Sequence, residues 1–396
     1  MESTYDTFRK ALENVQKPCA FLDLEALTNN ADKIIQKAGD KNVRIASKSI
    51  RSVDVLKKLF SMSDQFQGIM NFTAEEALFL YEQGFDDLLV AYPTWDKQLL
   101  QSVCQAIKEG ATITLMIDSI EHIERLEKIA EEMDGKFFVC IDIDLTMEIP
   151  GLNFGVYRSP IKTAEQVIEF MKTVKHSKRL VLDGLMGYEA QIAGVVDAAP
   201  KQFFKNLIVR LLKNISLKQI KEKRIQIFAK MKEENIDVRF INGGGTGSLH
   251  HTSKEASVTE VTVGSGFFNS HLFDKYKDFS LEPAVGFAVE ITRIPKQSIY
   301  TCHGGGYVAS GAMAKDKLPE IYLPEGAKLT GTEGVGEVQT PVIYDGSIQL
   351  FHGDPIIFRH SKAGELCERF QHLHVIKDGK VVEKITTYRG DGKCFL

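Results

Sequence analysis

Short apolar runs alternate along most of the chain with stretches whose apolar residues recur at helical spacing. The segment KPCAFLDLEALTNNADKIIQKAG reads as a strand, Ala20–Leu24, running into an amphipathic helix. Eight further runs follow: Val43–Ala46, Gln65–Met70, Asp87–Ala91, Thr112–Ile117, Phe137–Asp142, Leu180–Gly184, Val238–Asn242 and Glu260–Val263. Most are rich in β-branched residues, and most spacers carry Leu, Lys and Glu in a helical pattern. Eight such repeats over about 240 residues predict an α/β fold of the (β/α)8 barrel type rather than an open doubly wound sheet. The long basic segment Leu207–Lys232 predicts a helix with a solvated charged face, not a nucleic-acid surface.

After Leu281 the pattern changes. Short β-like segments take over: FAVEITRI, YVASGAM, EIYLP, GEVQTPVIY, IQLF, DPIIFRH and LHVIKDGKVVEKITTY. Gly/Asp turns such as Asp345-Gly346 and Asp378-Gly379 separate them. The expected organisation is a barrel over residues 27–280, with residues 1–26 and 281–396 forming an all-β domain.

Composition narrows the function classes. The 396 residues are 43% hydrophobic and 26% charged, as in an ordinary globular protein, which excludes disordered and collagen-like readings. A net charge of -4 gives no electrostatic reason to expect nucleic acid or an anionic membrane as partner. No apolar run approaches the roughly 18 residues of a membrane span, and the polar start MESTYDTFRK has no signal-peptide core. Six cysteines lie far apart without a CxxC pair, which predicts reduced thiols and a cytoplasmic location.

Barrels of this kind place their chemistry at the C-terminal ends of the strands. The first barrel strand runs into IASKSIRS, which puts Lys48 at the mouth. A lysine desolvated there can serve as nucleophile toward a carbonyl or a cofactor aldehyde; otherwise it is an exposed loop lysine. The seventh strand ends in INGGGTGS, where backbone amides of Gly244 and Gly245 and the hydroxyls of Thr246 and Ser248 can converge on an anion. It is neither a Walker loop nor a GxGxxG fingerprint. The eighth ends in TVGSGFF, which adds Gly264, Ser265 and Gly266 beside it. Two glycine-rich ends on adjacent strands favour a phosphate site over simple turns. A reactive lysine facing a phosphate cradle suggests pyridoxal phosphate, which needs both.

These residues, together with GVYRSP, GLMGYEAQIAG and the C-terminal HSKAGE and FQHLH segments, resemble the fold-type III pyridoxal-phosphate enzymes. Within them, the D-threonine aldolase and D-serine dehydratase-like branch of the alanine racemase superfamily is the nearest in motif order. The resemblance covers nearly the whole chain. It implies that Lys48 bonds the cofactor, that Gly244, Gly245, Thr246, Ser265 and Gly266 contact its phosphate, and that Arg158 and Tyr188 line it. An Arg or a phenol near the pyridine nitrogen would leave that nitrogen largely unprotonated and make a weaker electron sink than a carboxylate would.

On a strand, His372 and His374 point to one face and could grip one divalent metal, zinc or manganese. They could equally contact substrate or bond locally. The related enzymes usually carry Asp or Cys at the second position, so His374 is a departure. His360, Glu365 and Cys367 lie nearby in sequence. The implied function is a lyase, an aldolase or dehydratase, acting on a D-configured β-hydroxy amino acid. The alternatives are an amino-acid racemase, which would need a second base such as Tyr300, Tyr307, Tyr322 or Tyr344, and a non-catalytic cofactor carrier. A homodimer is implied, the β-domain of one chain closing the barrel of the other.

Overall fold

The computed structural model describes residues 3–149, 152–277, 280–312 and 314–396. Eight parallel strands close into a barrel in the order Phe240–Gly243, Glu260–Val263, Asn42–Ala46, Phe66–Asn71, Leu88–Val90, Ile113–Ile117, Phe137–Asp142 and Leu180–Gly187. All eight runs read from the sequence are these strands, and six helices between residues 24 and 176 begin where the sequence supplies caps. Asp23, Ser52, Thr73, Asp96 and Ser119 each accept a hydrogen bond from a first-turn amide, and Thr163 and Gln166 form a reciprocal capping box. Each thereby satisfies a donor the helix itself cannot. The basic segment forms one helix, Phe203–Glu233, which buries Lys213, Ser216, Ile220, Arg224, Ile227 and Met231 along one stripe.

The lower end of the barrel is closed by charge. Fully buried Arg44 donates to Glu260 at 2.7 Å and pairs with Asp87 at 3.1 Å, while Arg239 reaches Asp87 and Asp183 at 2.8 and 2.7 Å. Above this network Leu89, Met116, Cys140, Met186 and Phe240 form a small apolar plug against Met70. These two layers fill the lower end of the barrel.

Among the described residues the second sheet has nine strands. The strand Cys19–Asp23 pairs antiparallel with Val285–Lys296 and parallel with His372–Lys377, so the chain's first strand belongs to the sheet built by its last third. Its hairpin His372–Lys377/Lys380–Thr386 turns through Asp378 and Gly379, both in the left-handed region, as the Asp-Gly pair predicts.

Some expected strands do not form. Residues 307–312 of YVASGAM are irregular because the Ser310 amide is taken by the Glu365 carboxylate (3.0 Å) rather than by a neighbouring strand. IQLF is irregular too, so Asp345-Gly346 ends a strand without closing a hairpin. Two strands the pattern does not reveal, Ile299–His303 and Lys328–Leu329, pair instead with Gln339–Ile343. A short hairpin, Met147–Ile149 with Leu152–Phe154, interrupts the connection after the Phe137–Asp142 strand. Among the described residues, no helix is long and apolar enough to cross a membrane.

Candidate active site

The first barrel strand ends in a single 3-10 turn, Ser47–Ser49, that carries Lys48. The turn is pinned from both sides. Arg51, itself in a left-handed conformation, donates to the Lys48 carbonyl at 2.9 Å and pairs with Glu368 at 2.7 Å. Ser52 donates to the Thr386 carbonyl at 2.6 Å, and the Tyr388 amide donates to the Arg51 carbonyl. The all-β domain thus fixes the backbone of the candidate lysine. The Lys48 side chain itself is exposed, so the walls of this single chain do not desolvate it, contrary to the expectation for a buried nucleophile.

Lys48 opens onto a cleft of about 780 Å³, its mouth included, in the size range of small-molecule sites. Arg158, Tyr188, Gly244, Gly245, Thr246 and Ser265 line the same cleft, so seven of the eight expected cofactor residues meet in one place. The eighth, Gly266, lies just behind it, its amide donating to the Thr246 hydroxyl at 3.0 Å. That contact ties the seventh strand end to the eighth. Ser49 and Ser265 share a hydrogen bond at 3.2 Å, joining the eighth strand end to the lysine turn. Only glycine fits at position 264, since a Cβ there would lie 2.7 Å from the Ser49 hydroxyl and 2.8 Å from the Ala46 methyl.

The glycine loop is also held from beneath. Fully buried Glu189 accepts from the Gly244 amide at 2.9 Å, from Thr252 and from Arg224 at 3.1 Å. Arg224 also donates to the Gly187 carbonyl and pairs with Glu255 at 2.9 Å. The Gly244 amide therefore shapes the loop and is already engaged.

Across the cleft, Arg158 pairs with Asp142 at 3.0 Å and lies over the rings of Tyr92 and Tyr188, 5.3 and 6.0 Å from their centroids. Burial pushes the Asp142 carboxyl up to about 6 although Arg158 opposes the shift. Burial likewise pushes the Tyr188 phenol up to about 12, leaving it a neutral hydroxyl at ordinary pH.

Pyridoxal phosphate fits this donor set: an accessible amine, three hydroxyls (Ser49, Thr246 and Ser265) around a glycine-lined hollow, and an arginine stacked beside two phenols. A metal is a different matter. His372 and His374 share one half-buried face of their strand and do not line the cleft, and burial together with Lys384 and His372 lowers the His374 pKa. His360 and Cys367 are buried, and Glu365 is engaged with Ser310. Among the described residues no three His, Cys, Asp or Glu side chains gather into a set able to hold a metal ion.

Ser49, Tyr92, Asn242, Thr262 and Glu189 were not singled out by the sequence. Tyr92 lies two residues past the end of a barrel strand, and Ser49 adjoins Lys48, so both were within reach of the strand-end rule. Glu189 offers no local signal, because its partners are 35 to 63 residues away.

Buried Glu76 links this region to the C-terminus. It accepts from the Phe72 amide at 3.0 Å and the Tyr388 hydroxyl at 2.8 Å, and burial pushes its carboxyl up to about 7. A folded-state pKa above the unfolded value near 4.5 means that Glu76 favours the fold most below that pH and loses the advantage as pH rises through 7. The stability of Glu76→Gln relative to the unmodified protein is therefore expected to improve between pH 4.5 and 7, by roughly 3 kcal/mol. Urea midpoints measured for both proteins across that window check this; a constant difference would contradict it.

Comparison with known proteins places the chain. Residues 22–269 match the alanine racemase, N-terminal domain. The chain belongs to that family. Its relatives include a 3-hydroxy-D-aspartate aldolase of Paracoccus denitrificans, 26% identical over 256 residues, or 64% of this chain and 60% of that protein. The chain thus matches less than two thirds of the length of this curated relative. Among solved structures, D-threonine aldolase from Filomicrobium marinum superposes with a TM-score of 0.80 at 16% identity, covering 96% of this chain and 97% of that one. D-threo-3-hydroxyaspartate dehydratase from Delftia sp. HT23 superposes at 0.72, also at 16% identity, over 95% and 98%. These likenesses establish a shared alanine racemase-type fold, a parallel barrel with a separate β-sheet domain.

Proposed function

We propose that the protein is a pyridoxal-phosphate-dependent lyase that acts on a D-configured 3-hydroxy amino acid, as an aldolase or a dehydratase. The observation that carries this reading is the meeting of Lys48 with two glycine-rich strand ends in one cleft. The names of the relatives, which cleave or dehydrate 3-hydroxy amino acids of D configuration, support the substrate class.

Lys48 is the amine that would hold the cofactor's aldehyde carbon. The hydroxyls of Thr246, Ser265 and Ser49 would surround its phosphate beside Gly245 and Gly266, whose amides donate to Ser248 and Thr246, while Arg158, Tyr92 and Tyr188 would flank its ring. When bound, pyridoxal phosphate supplies an electron sink for charge that develops at the substrate's Cα. Arg158, already paired with Asp142, adds a cation beside that ring rather than an acid. The free amine of Lys48 then acts as the base. Taking the proton from Cα leads to loss of the β-hydroxyl as water; taking it from the β-hydroxyl leads to Cα–Cβ scission. No step is assigned to a metal.

The chain is also read as a homodimer of a cytoplasmic protein, with residues 27–280 as the cofactor barrel and 1–26 with 281–396 as the β-domain. The exposed apolar residues Phe203, Phe204, Leu207, Ile208 and Leu211 at the start of the long helix support self-association.

Proton NMR in D2O tests the reaction. Holoenzyme is incubated with D- and L-serine, threonine and 3-hydroxyaspartate, and with alanine. The expected result is a keto acid or an aldehyde plus glycine from D-enantiomers only. Cα deuteration with interconversion of enantiomers would make the protein a racemase, and no change in any substrate would remove the lyase reading.

A further inference from the structure

A second cavity lies beside the glycine loop. It measures about 790 Å³, its mouth included, and is lined by Arg210 and Lys213 of the long helix, by Gly247, His250 and His251 after the seventh strand, and by Lys277. None of these residues lines the cleft that holds Lys48. The wall between the two is thin. Ala193 lines the first cleft, and its carbonyl accepts at 2.8 Å from the hydroxyl of Tyr276, which lines the second. A Cβ on Gly247 would lie 2.6 Å from that carbonyl oxygen and 2.9 Å from the Tyr276 ring, so only glycine fits there.

The charge of the lining is one-sided. Among the described residues, five of the side chains around the cavity are basic and one, Asp197, is acidic. That carboxylate is already engaged. It is 5% exposed, pairs with buried Lys213 at 2.9 Å through one oxygen and accepts from the Lys277 amide at 3.0 Å through the other. Lys213 is held further by the Tyr276 ring, 4.8 Å from its ammonium. Arg210 uses only its Nε, which donates to the Asp197 carbonyl at 3.0 Å. Among the described residues, neither its guanidinium nor the Lys277 ammonium has a carboxylate partner. Two cations thus border a preformed hollow whose acid is spent on a third. The rings of His250 and His251, 3.7 Å apart, add ring nitrogens to the same lining. A guanidinium fork, an ammonium and further polar groups around one space suit an anion with several oxygens and close to two charges better than a single carboxylate.

We propose that this cavity binds a small phosphate-bearing anion, separately from the cofactor's own phosphate. Arg210 and Lys277 supply the charge. The proposal does not depend on the lyase reading, because these cations take no part in the first cleft.

The test is calorimetric titration of the holoenzyme, its first cleft filled by cofactor, with inorganic phosphate, glycerol 3-phosphate and succinate. Saturable phosphate binding with a Kd of roughly 1 mM is expected. Loss of one charge-assisted contact should weaken it about tenfold in Lys277→Met and in Arg210→Met. Lys218→Met, which removes an exposed lysine of the same helix outside the cavity, should leave it unchanged. Lys277 is exposed, so its variant keeps the fold even where Arg210→Met disturbs the Asp197 backbone. Tighter binding of glycerol 3-phosphate than of phosphate assigns a phosphate ester as the ligand; equal or weaker binding assigns the free ion. If the protein holds no pyridoxal phosphate yet binds phosphate in a Lys277-dependent way, the lyase reading falls and the second site stands. No saturable phosphate binding, or binding unchanged in both Lys277→Met and Arg210→Met, overturns the proposal, and succinate bound as tightly as phosphate overturns the ligand class.

Discussion

Lys48→Ala is expected to abolish the visible absorbance of the lysine-bound cofactor and to lower turnover of the D-3-hydroxy amino acid by at least about a thousandfold, the combined loss of a covalent anchor and a general base. The fold should be untouched. Lys48 is exposed, and its turn is held through its carbonyl and its neighbours, by Arg51, Ser52 and Tyr388, rather than through its own side chain. Far-ultraviolet circular dichroism and the urea midpoint should therefore match the unmodified protein within about 0.5 kcal/mol, the usual range for surface changes. A variant that keeps the chromophore and its reducibility would move the cofactor's attachment to another amine.

Arg224→Met should have the largest effect on stability. Arg224 is 6% exposed and neutralises two buried carboxylates, Glu189 and Glu255, while donating to the Gly187 carbonyl. Methionine fills a similar volume but leaves both carboxylates without their cation. Breaking one side of a buried ion cluster costs about 3–5 kcal/mol. The exposed pair Lys172–Glu234, at 2.7 Å, is the control, since such pairs contribute about 0–1 kcal/mol. Urea midpoints of Arg224→Met and Lys172→Met check the contrast. Weaker binding of pyridoxal phosphate is expected in Arg224→Met as well, because Glu189 is the acceptor that holds the Gly244 amide and so the curvature of the glycine loop. Equal midpoints for the two variants would show that the cluster does not hold the loop.

The barrel was legible because its strands are compact runs, most of them followed by capped helices, and a rule of fold geometry then says which strand ends matter. Lys48, Gly244, Gly245, Thr246 and Ser265 follow from that rule. The sheet domain was less legible. Its strands include the two-residue Lys328–Leu329, too short to show alternation, while YVASGAM has β-like composition but spends a backbone amide on Glu365. The supports of the site were hidden for a related reason. Glu189, Arg224 and Glu76 act through partners distant in the chain, and Tyr388 meets Glu76 across 312 residues.

The proposed chemistry depends most on one bond, between Lys48 and pyridoxal phosphate. Holoenzyme reduced with borohydride, digested and mapped by mass spectrometry reads it directly. The predicted result is a phosphopyridoxyl group on the peptide that contains Lys48, at close to one per chain. The same label on another lysine, or no stoichiometric label at all, would contradict it.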